Sequence, residues 1–118
     1  MELNRELQDI MNRVFVKASL NRHEYITPEH ILYTLARSKH DIILSLKVDL
    51  NKFITNLENY LDSHIPKVEK KGEYAIVETI SFNNVIKRAV KQAESAGNTS
   101  IDVSDIFVAI YEEKGSFG

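Results

Sequence analysis

The 118 residues contain no cysteine, two prolines and four glycines, and each scarcity removes a class of explanation. Without cysteine there is no disulfide framework, no thiolate metal site and no thiol nucleophile. The glycines stand at 72, 97, 115 and 118, so no Gly-x-x-x-x-Gly-Lys-Ser/Thr loop is present to cradle a nucleotide phosphate. No apolar run approaches the roughly 20 residues that span a bilayer. Nor does Met1 to Glu6 lead from basic residues into an apolar stretch, as a secretion signal would. The chain is therefore expected to be soluble, unexported and cytoplasmic, with its own N-terminus running into a helix. Charged residues make up 27% and the net charge is -2, which offers neither the basic excess of a nucleic-acid binder nor the acidity of a disordered tail.

What the chain does contain is a copy of itself. Shifting residues 7 to 36 by 75 positions places Leu7 on Phe82, Ile10 on Val85, Met11 on Ile86, Val14 on Ala89, Leu32 on Phe107 and Leu35 on Ile110. Ala18/Ala93, Ile26/Ile101 and Ile31/Ile106 are identical pairs. At 43% hydrophobic composition, nine apolar matches in one register point to a duplicated unit. A chain of this length forms one compact domain and buries roughly two thirds of its unfolded surface.

The apolar positions from Leu3 to Ala18 recur at helical spacing, which predicts an amphipathic helix over 3–20. Thr27 followed by Pro28 is a helix start, a hydroxyl cap and then a ring preset for the first helical position, and the second helix runs to about Ser38. Asp41 to Leu46 reads as one or two turns. Asp49 caps a helix whose inner face is Leu50, Phe53, Ile54, Leu57 and Leu61. The charged, aperiodic stretch 64–80 is the expected linker between repeat one (1–63) and a partial repeat two (81–118), with Tyr74, Ile76 and Val77 as a short extended segment. Ser81 is the expected cap of a helix ended by Gly97, and a last helix begins at Asp102. The expected fold is all-α, a pseudo-twofold duplicated four-helix repeat whose second copy is incomplete.

Chemistry concentrates between Arg22 and His30, where two of the four histidines and two carboxylates fall within nine residues. A zinc protease needs His-Glu-x-x-His on one helical turn, but Thr27 stands four after His23 and Pro28 forbids a continuous helix there. Plain capping accounts for Glu29, since a carboxylate in a first turn is favoured by about 0.3 to 1 kcal/mol, and His30 is expected to point at water. The second copy has Gly97, Asn98, Thr99 and Ser100 where the first has Arg22, His23, Glu24 and Tyr25, and Ser104 in place of Glu29. Folding asks the same of both copies, so the difference points to an exposed contact made by one copy only. Lys87, Arg88 and Lys91 form a small basic patch that reads as a solvated face.

The segment from Asn21 to Leu35, with its Arg22-His23-Glu24-Tyr25-Ile26-Thr27 and Glu29-His30, resembles the signature of the Clp N-terminal domain, nearest the ClpA type. Ser81-Phe82, Val85-Ile86 and Arg88-Ala89-Val90, then Ile101-Asp102-Val103 and Ile106 to Ile110, resemble the second repeat. The resemblance implies a non-catalytic accessory domain, with no cofactor, tethered to an ATP-driven unfoldase. Its partners would be the adaptor ClpS, substrate polypeptides, and the ATPase modules and ClpP of the parent assembly, with neither nucleic acid nor membrane among them. The family's adaptor-contacting carboxylates carry over to Glu24 and Glu29, with His23 and Tyr25 beside them and Thr79, Lys87 and Arg88 as neighbours. The ATPase modules are absent from these residues, and the family's domain continues through further helices after the position of Gly118.

Three functions are therefore set against one another. The first is docking of an adaptor or substrate through the loop from Arg22 to Glu29. The second is direct capture of unfolded chains in an apolar groove between the repeats, or a stand-alone short Clp-repeat regulator. The third, metal-dependent hydrolysis at His23 and His30, rests on clustering alone. With no counterpart to Leu50, Phe53, Ile54 and Leu57 in the second copy, apolar surface over 82–110 is expected to be exposed and open to self-association.

Overall fold

The computed structural model describes residues 1 to 115 of the chain. In chain order it runs β1 (Glu2–Leu3), α1 (Arg5–Leu20), β2 (Tyr25–Ile26), α2 (Pro28–Arg37), α3 (Asp41–Leu44) and α4 (Leu50–His64). The second half follows as β3 (Val77–Glu78), α5 (Ile80–Ser95), β4 (Ser100–Ile101) and α6 (Val103–Gly115). The duplication is exact to the residue: β3, α5, β4 and α6 begin 75 positions after β1, α1, β2 and α2. The expected extension of repeat two to Gly118 lies outside the described residues.

The helices form where the apolar stripe dictates. In α1 the buried positions are Leu7, Ile10, Met11, Val14 and Ala18, and in α5 they are Phe82, Val85, Ala89 and Ala93. Of the nine matched pairs, all but two are buried in both copies; Ile86 and Phe107 are half-exposed where Met11 and Leu32 are buried. Across the pseudo-twofold, the rings of Phe15 and Phe82 meet edge to face, with centroids 6.1 Å apart at 86°. Each fully buried side chain of this size contributes about 1.5 to 3 kcal/mol.

Four two-residue strands tie the copies together. β1 pairs in parallel with β4, Glu2 opposite Ser100 and Leu3 opposite Ile101. β2 pairs in parallel with β3, Tyr25 opposite Val77 and Ile26 opposite Glu78. The first strand of each copy thus pairs with the second strand of the other. Strands this short have no stability of their own; here they serve as a reciprocal clasp between helices already in contact.

Three sequence expectations are corrected. The first helix starts at Arg5 rather than Leu3, because Asn4 caps it, accepting from the Leu7 N–H at 2.9 Å, and Glu2 and Leu3 belong to β1. The cap of α5 is Thr79, not Ser81. Its hydroxyl accepts from the Phe82 N–H at 3.2 Å, at the position that matches Asn4. The last helix begins at Val103, with Asp102 just outside it accepting from the Asp105 N–H at 2.9 Å. The stretch 64–80 between the repeats holds the end of α4, β3 and the cap of α5, with the extended segment at Val77–Glu78.

Candidate functional site

The segment between α1 and α2 is built by its neighbours. Asn21 closes α1, and Arg22 turns the chain with a φ of 57°, the left-handed region that glycine enters most easily. Gly97, its counterpart, has a φ of 75°. From there the backbone lies between two others. On one side the Glu24 N–H donates to Pro66 O at 2.9 Å and the Val68 N–H to Arg22 O at 2.7 Å; on the other the Val77 N–H donates to Glu24 O at 3.0 Å and the Thr79 N–H to Ile26 O at 3.2 Å.

Arg22 secures the outer flank. Its guanidinium donates to the carbonyls of Gly72, at 2.8 Å, and of Lys70, and it lies 4.7 Å from the centre of the Tyr74 ring. The Tyr74 hydroxyl in turn donates to His23 O at 2.8 Å. Arg22 and Tyr74 together tie the 70–74 stretch to the loop; the sequence placed Tyr74 in a short extended segment, and only tertiary contact reveals the partner of its hydroxyl.

The expectation of an exposed, decorated loop fails for its histidines. His23 is 1% and His30 2% exposed, and Ile26, Thr27 and Pro28 are also buried. His23 therefore presents no ring to a partner, and His30 does not point at water. Instead the two imidazoles meet, Nδ1 of His23 to Nε2 of His30, at 2.8 Å. The Thr27 N–H donates to His30 Nδ1 at 3.0 Å, which places the proton of the neutral His30 ring on Nε2, aimed at His23. His23 then carries its proton on Nε2, which is buried and has no partner among the described residues. Burial foremost, then the neighbouring His23, pushes His30 down to about 4. Burial and the nearby Lys67 lower His23 in the same direction. The pair is a neutral structural dyad. Among the described residues no group of three or more acidic or histidine side chains is arranged to hold a metal ion.

The remaining site residues fall into three places. Glu24, Tyr25 and Thr79 are half-buried and come together at the β2–β3 pairing; the Thr79 hydroxyl also donates to Ile26 O at 2.9 Å. The Glu24 carboxylate makes no hydrogen bond or ion pair among the described residues. Glu29, in the first turn of α2, pairs with Lys114 of α6 at 3.5 Å, its side chain 14% exposed. Lys87 and Arg88 lie two turns along α5, about 12 Å from Thr79 at 1.5 Å per residue. Arg88 is engaged by Glu113 at 3.1 Å and by Glu112 at 3.7 Å, whereas Lys87 is exposed. No signal in the sequence announced Lys114 as the partner of Glu29.

Two copies of a helix-loop-helix unit, clasped by exchanged strands around one apolar core, define an all-α duplicated repeat domain. The chain belongs to the Clp repeat (R) N-terminal domain family, whose model matches residues 2–118. The ClpA homolog protein of Fuscovulum blasticum is 27% identical over 113 residues, covering 93% of this chain and 14% of that protein. The chain thus spans about a seventh of that curated relative. Among solved structures, the Hsp104 N-terminal domain from Candida albicans matches with a TM-score of 0.83 at 14% identity, over 98% of this chain and 77% of that one. A structure described as a peptide from the EAEC T6SS Sci1 SciI protein matches with a TM-score of 0.76 at 21% identity, over 97% of this chain and 73% of that one. At these identities the likeness speaks for the fold. No helix among the described residues is long and apolar enough to cross a membrane.

Proposed function

We propose that this domain is the non-catalytic interaction module of a ClpA-type AAA+ unfoldase in the cytoplasm. It docks the adaptor ClpS, and with it substrate polypeptides bound for ATP-dependent unfolding and ClpP proteolysis, without a cofactor of its own. The observation that carries this reading is Glu24. Its carboxylate is half-exposed and unpaired among the described residues, while its backbone is held on both sides by Pro66 and Val77. A charge on ordered backbone beside an aromatic ring, here Tyr25, binds with little further ordering cost. Thr79 adjoins it, and Glu29 supplies a second carboxylate that exchanges Lys114 for a partner's cation. Lys87 and Arg88 extend the surface along α5. Membership of the Clp family and the likeness to a ClpA homolog support the assignment.

Calorimetric titration with ClpS tests it. Glu24→Ala combined with Glu29→Ala is expected to weaken binding at least about tenfold, or about 1.4 kcal/mol; an unchanged affinity removes both residues from the interface. A second reading, direct capture of unfolded polypeptides, is favoured by the exposure of Val77, Ile80 and Tyr111 at 51%, 81% and 77%. Absence of apolar-dye fluorescence at neutral pH would dismiss it.

A further inference from the structure

The two copies balance charge differently at one matching place. In the second, Arg88 of α5 meets Glu113 at 3.1 Å and Glu112 at 3.7 Å, both in the last turns of α6. Asn84 also donates to Glu113, at 3.2 Å. The Glu113 side chain is only 4% exposed, a burial that a carboxylate tolerates when it is paired. The 75-residue shift sets Arg13 opposite Arg88, but Arg37 opposite Glu112 and Ser38 opposite Glu113. The first copy keeps the cation and lacks both carboxylates.

What stands there instead is a cavity of about 320 Å³ between α1 and α2, lined by Arg13, Lys17, Tyr33, Thr34, Arg37 and Ser38. Every charged group of that lining is a cation, and none makes an ion pair among the described residues. Thr34 is 8% exposed, and its hydroxyl has no hydrogen-bond partner among the described residues, which leaves a spare donor at the cavity wall. Its counterpart is Ala109, with no polar group to satisfy. The neighbouring carboxylates belong to adjoining hollows: Glu6 and Asp9 beside Arg13, Glu58 and Asp62 beside Lys17. An anion is therefore drawn to the cavity rather than to either flank.

We propose that this cavity binds two adjacent carboxylates of an acidic peptide segment, taking from a partner what Glu112 and Glu113 give the second copy. One carboxylate meets Arg13 as Glu113 meets Arg88. The other lies between Lys17 and Arg37, and the Thr34 hydroxyl donates to one of the pair. Three cations around one hollow repel one another, so the incoming charges relieve that repulsion as well as pairing each cation. The guanidinium forks of Arg13 and Arg37 match planar carboxylates in particular. Neither Glu24 nor Glu29 lines the cavity, so the site stands on the difference between the copies and is separate from the Glu24 surface.

The test follows the amide NMR shifts of the 118-residue chain during titration with the end-capped peptide Gly-Glu-Glu-Gly at about 0.1 M salt. Saturable shifts centred on Arg13, Lys17, Thr34 and Arg37 are expected, with a Kd below about 1 mM. Arg13→Gln with Arg37→Gln, both at exposed positions, should weaken binding at least about tenfold. Arg37→Glu with Ser38→Glu gives the first copy the carboxylates of the second, and should abolish binding while far-UV dichroism stays unchanged. Lys87→Glu with Lys91→Glu alters cations that line a different groove, and should leave binding within about twofold of the unaltered chain. A Kd above about 1 mM, equal binding of Gly-Gln-Gln-Gly, or as large a loss from the α5 pair as from Arg13 and Arg37 overturns the inference. Tighter binding of glutarate or inorganic phosphate than of the peptide also overturns it, assigning the cavity to a small free anion. Glu24→Ala should leave the peptide titration unchanged, so failure of the ClpS titration and failure of this one are separate outcomes.

Discussion

His30 and Asp105 perform the same task in the two copies: each accepts the backbone N–H of the residue three before it, Thr27 or Asp102, at 3.0 Å. A carboxylate does this across the physiological range, whereas a buried imidazole does it only while neutral. Folded His30 titrates at about 4, against 6.5 for the free group. Between those values the unfolded chain binds the extra proton. Stability that is complete above pH 6.5 is therefore lost as the pH falls toward 4, by up to about 3 kcal/mol, and His23 adds to the loss in the same direction. Urea melts at pH 7.5 and 4.5 should show the drop. His30→Asn, which keeps an acceptor, should flatten it, and a wild-type profile already flat over this window would contradict the neutral dyad.

Arg22→Gly sets two effects against each other. Glycine relieves a left-handed residue of roughly 1 to 2 kcal/mol, but the substitution removes the guanidinium that gathers the carbonyls of Lys70 and Gly72 and covers Tyr74. Global stability is expected to change by less than about 1 kcal/mol, while trypsin cuts after Lys67, Lys70 and Lys71 several times faster. Limited proteolysis read by mass spectrometry decides. Unchanged cutting would mean that backbone pairing alone holds the segment.

The two matching caps are unequal. Asn4→Ala removes one acceptor, that of the Leu7 N–H, and is expected to cost about 1 kcal/mol. Thr79→Val removes both the acceptor of the Phe82 N–H and the donor to Ile26 O, at about 2 kcal/mol. Equal midpoints in chemical denaturation would show that the bond to Ile26 contributes nothing.

Much of the fold could be read directly from the chain. The 75-residue shift and the helical spacing of Leu7, Ile10, Val14 and Ala18 locate α1, α2, α5 and α6, because periodicity is a local property that needs no contact map. The α5 cap was misplaced because Thr79 and Ser81 are both hydroxyl residues two apart; the pairing of Val77 with Tyr25 chooses between them. The shift already set Arg22 opposite Gly97, and the left-handed backbone they share was there to be inferred. The candidate site was less legible. Arg22, His23 and Glu24 are polar, and polarity reads as exposure until the segments at 66–68 and 77–79 are seen on either side.

By itself, then, the sequence determined the duplicated helices, the shared core and the family, all of which follow from which residues recur and at what interval. Tertiary structure alone decided that His23 and His30 turn inward as a neutral pair and that the Glu24 carboxylate stays unpaired among the described residues. Burial and choice of partner depend on segments far apart in the chain, and no local pattern records which of them will meet.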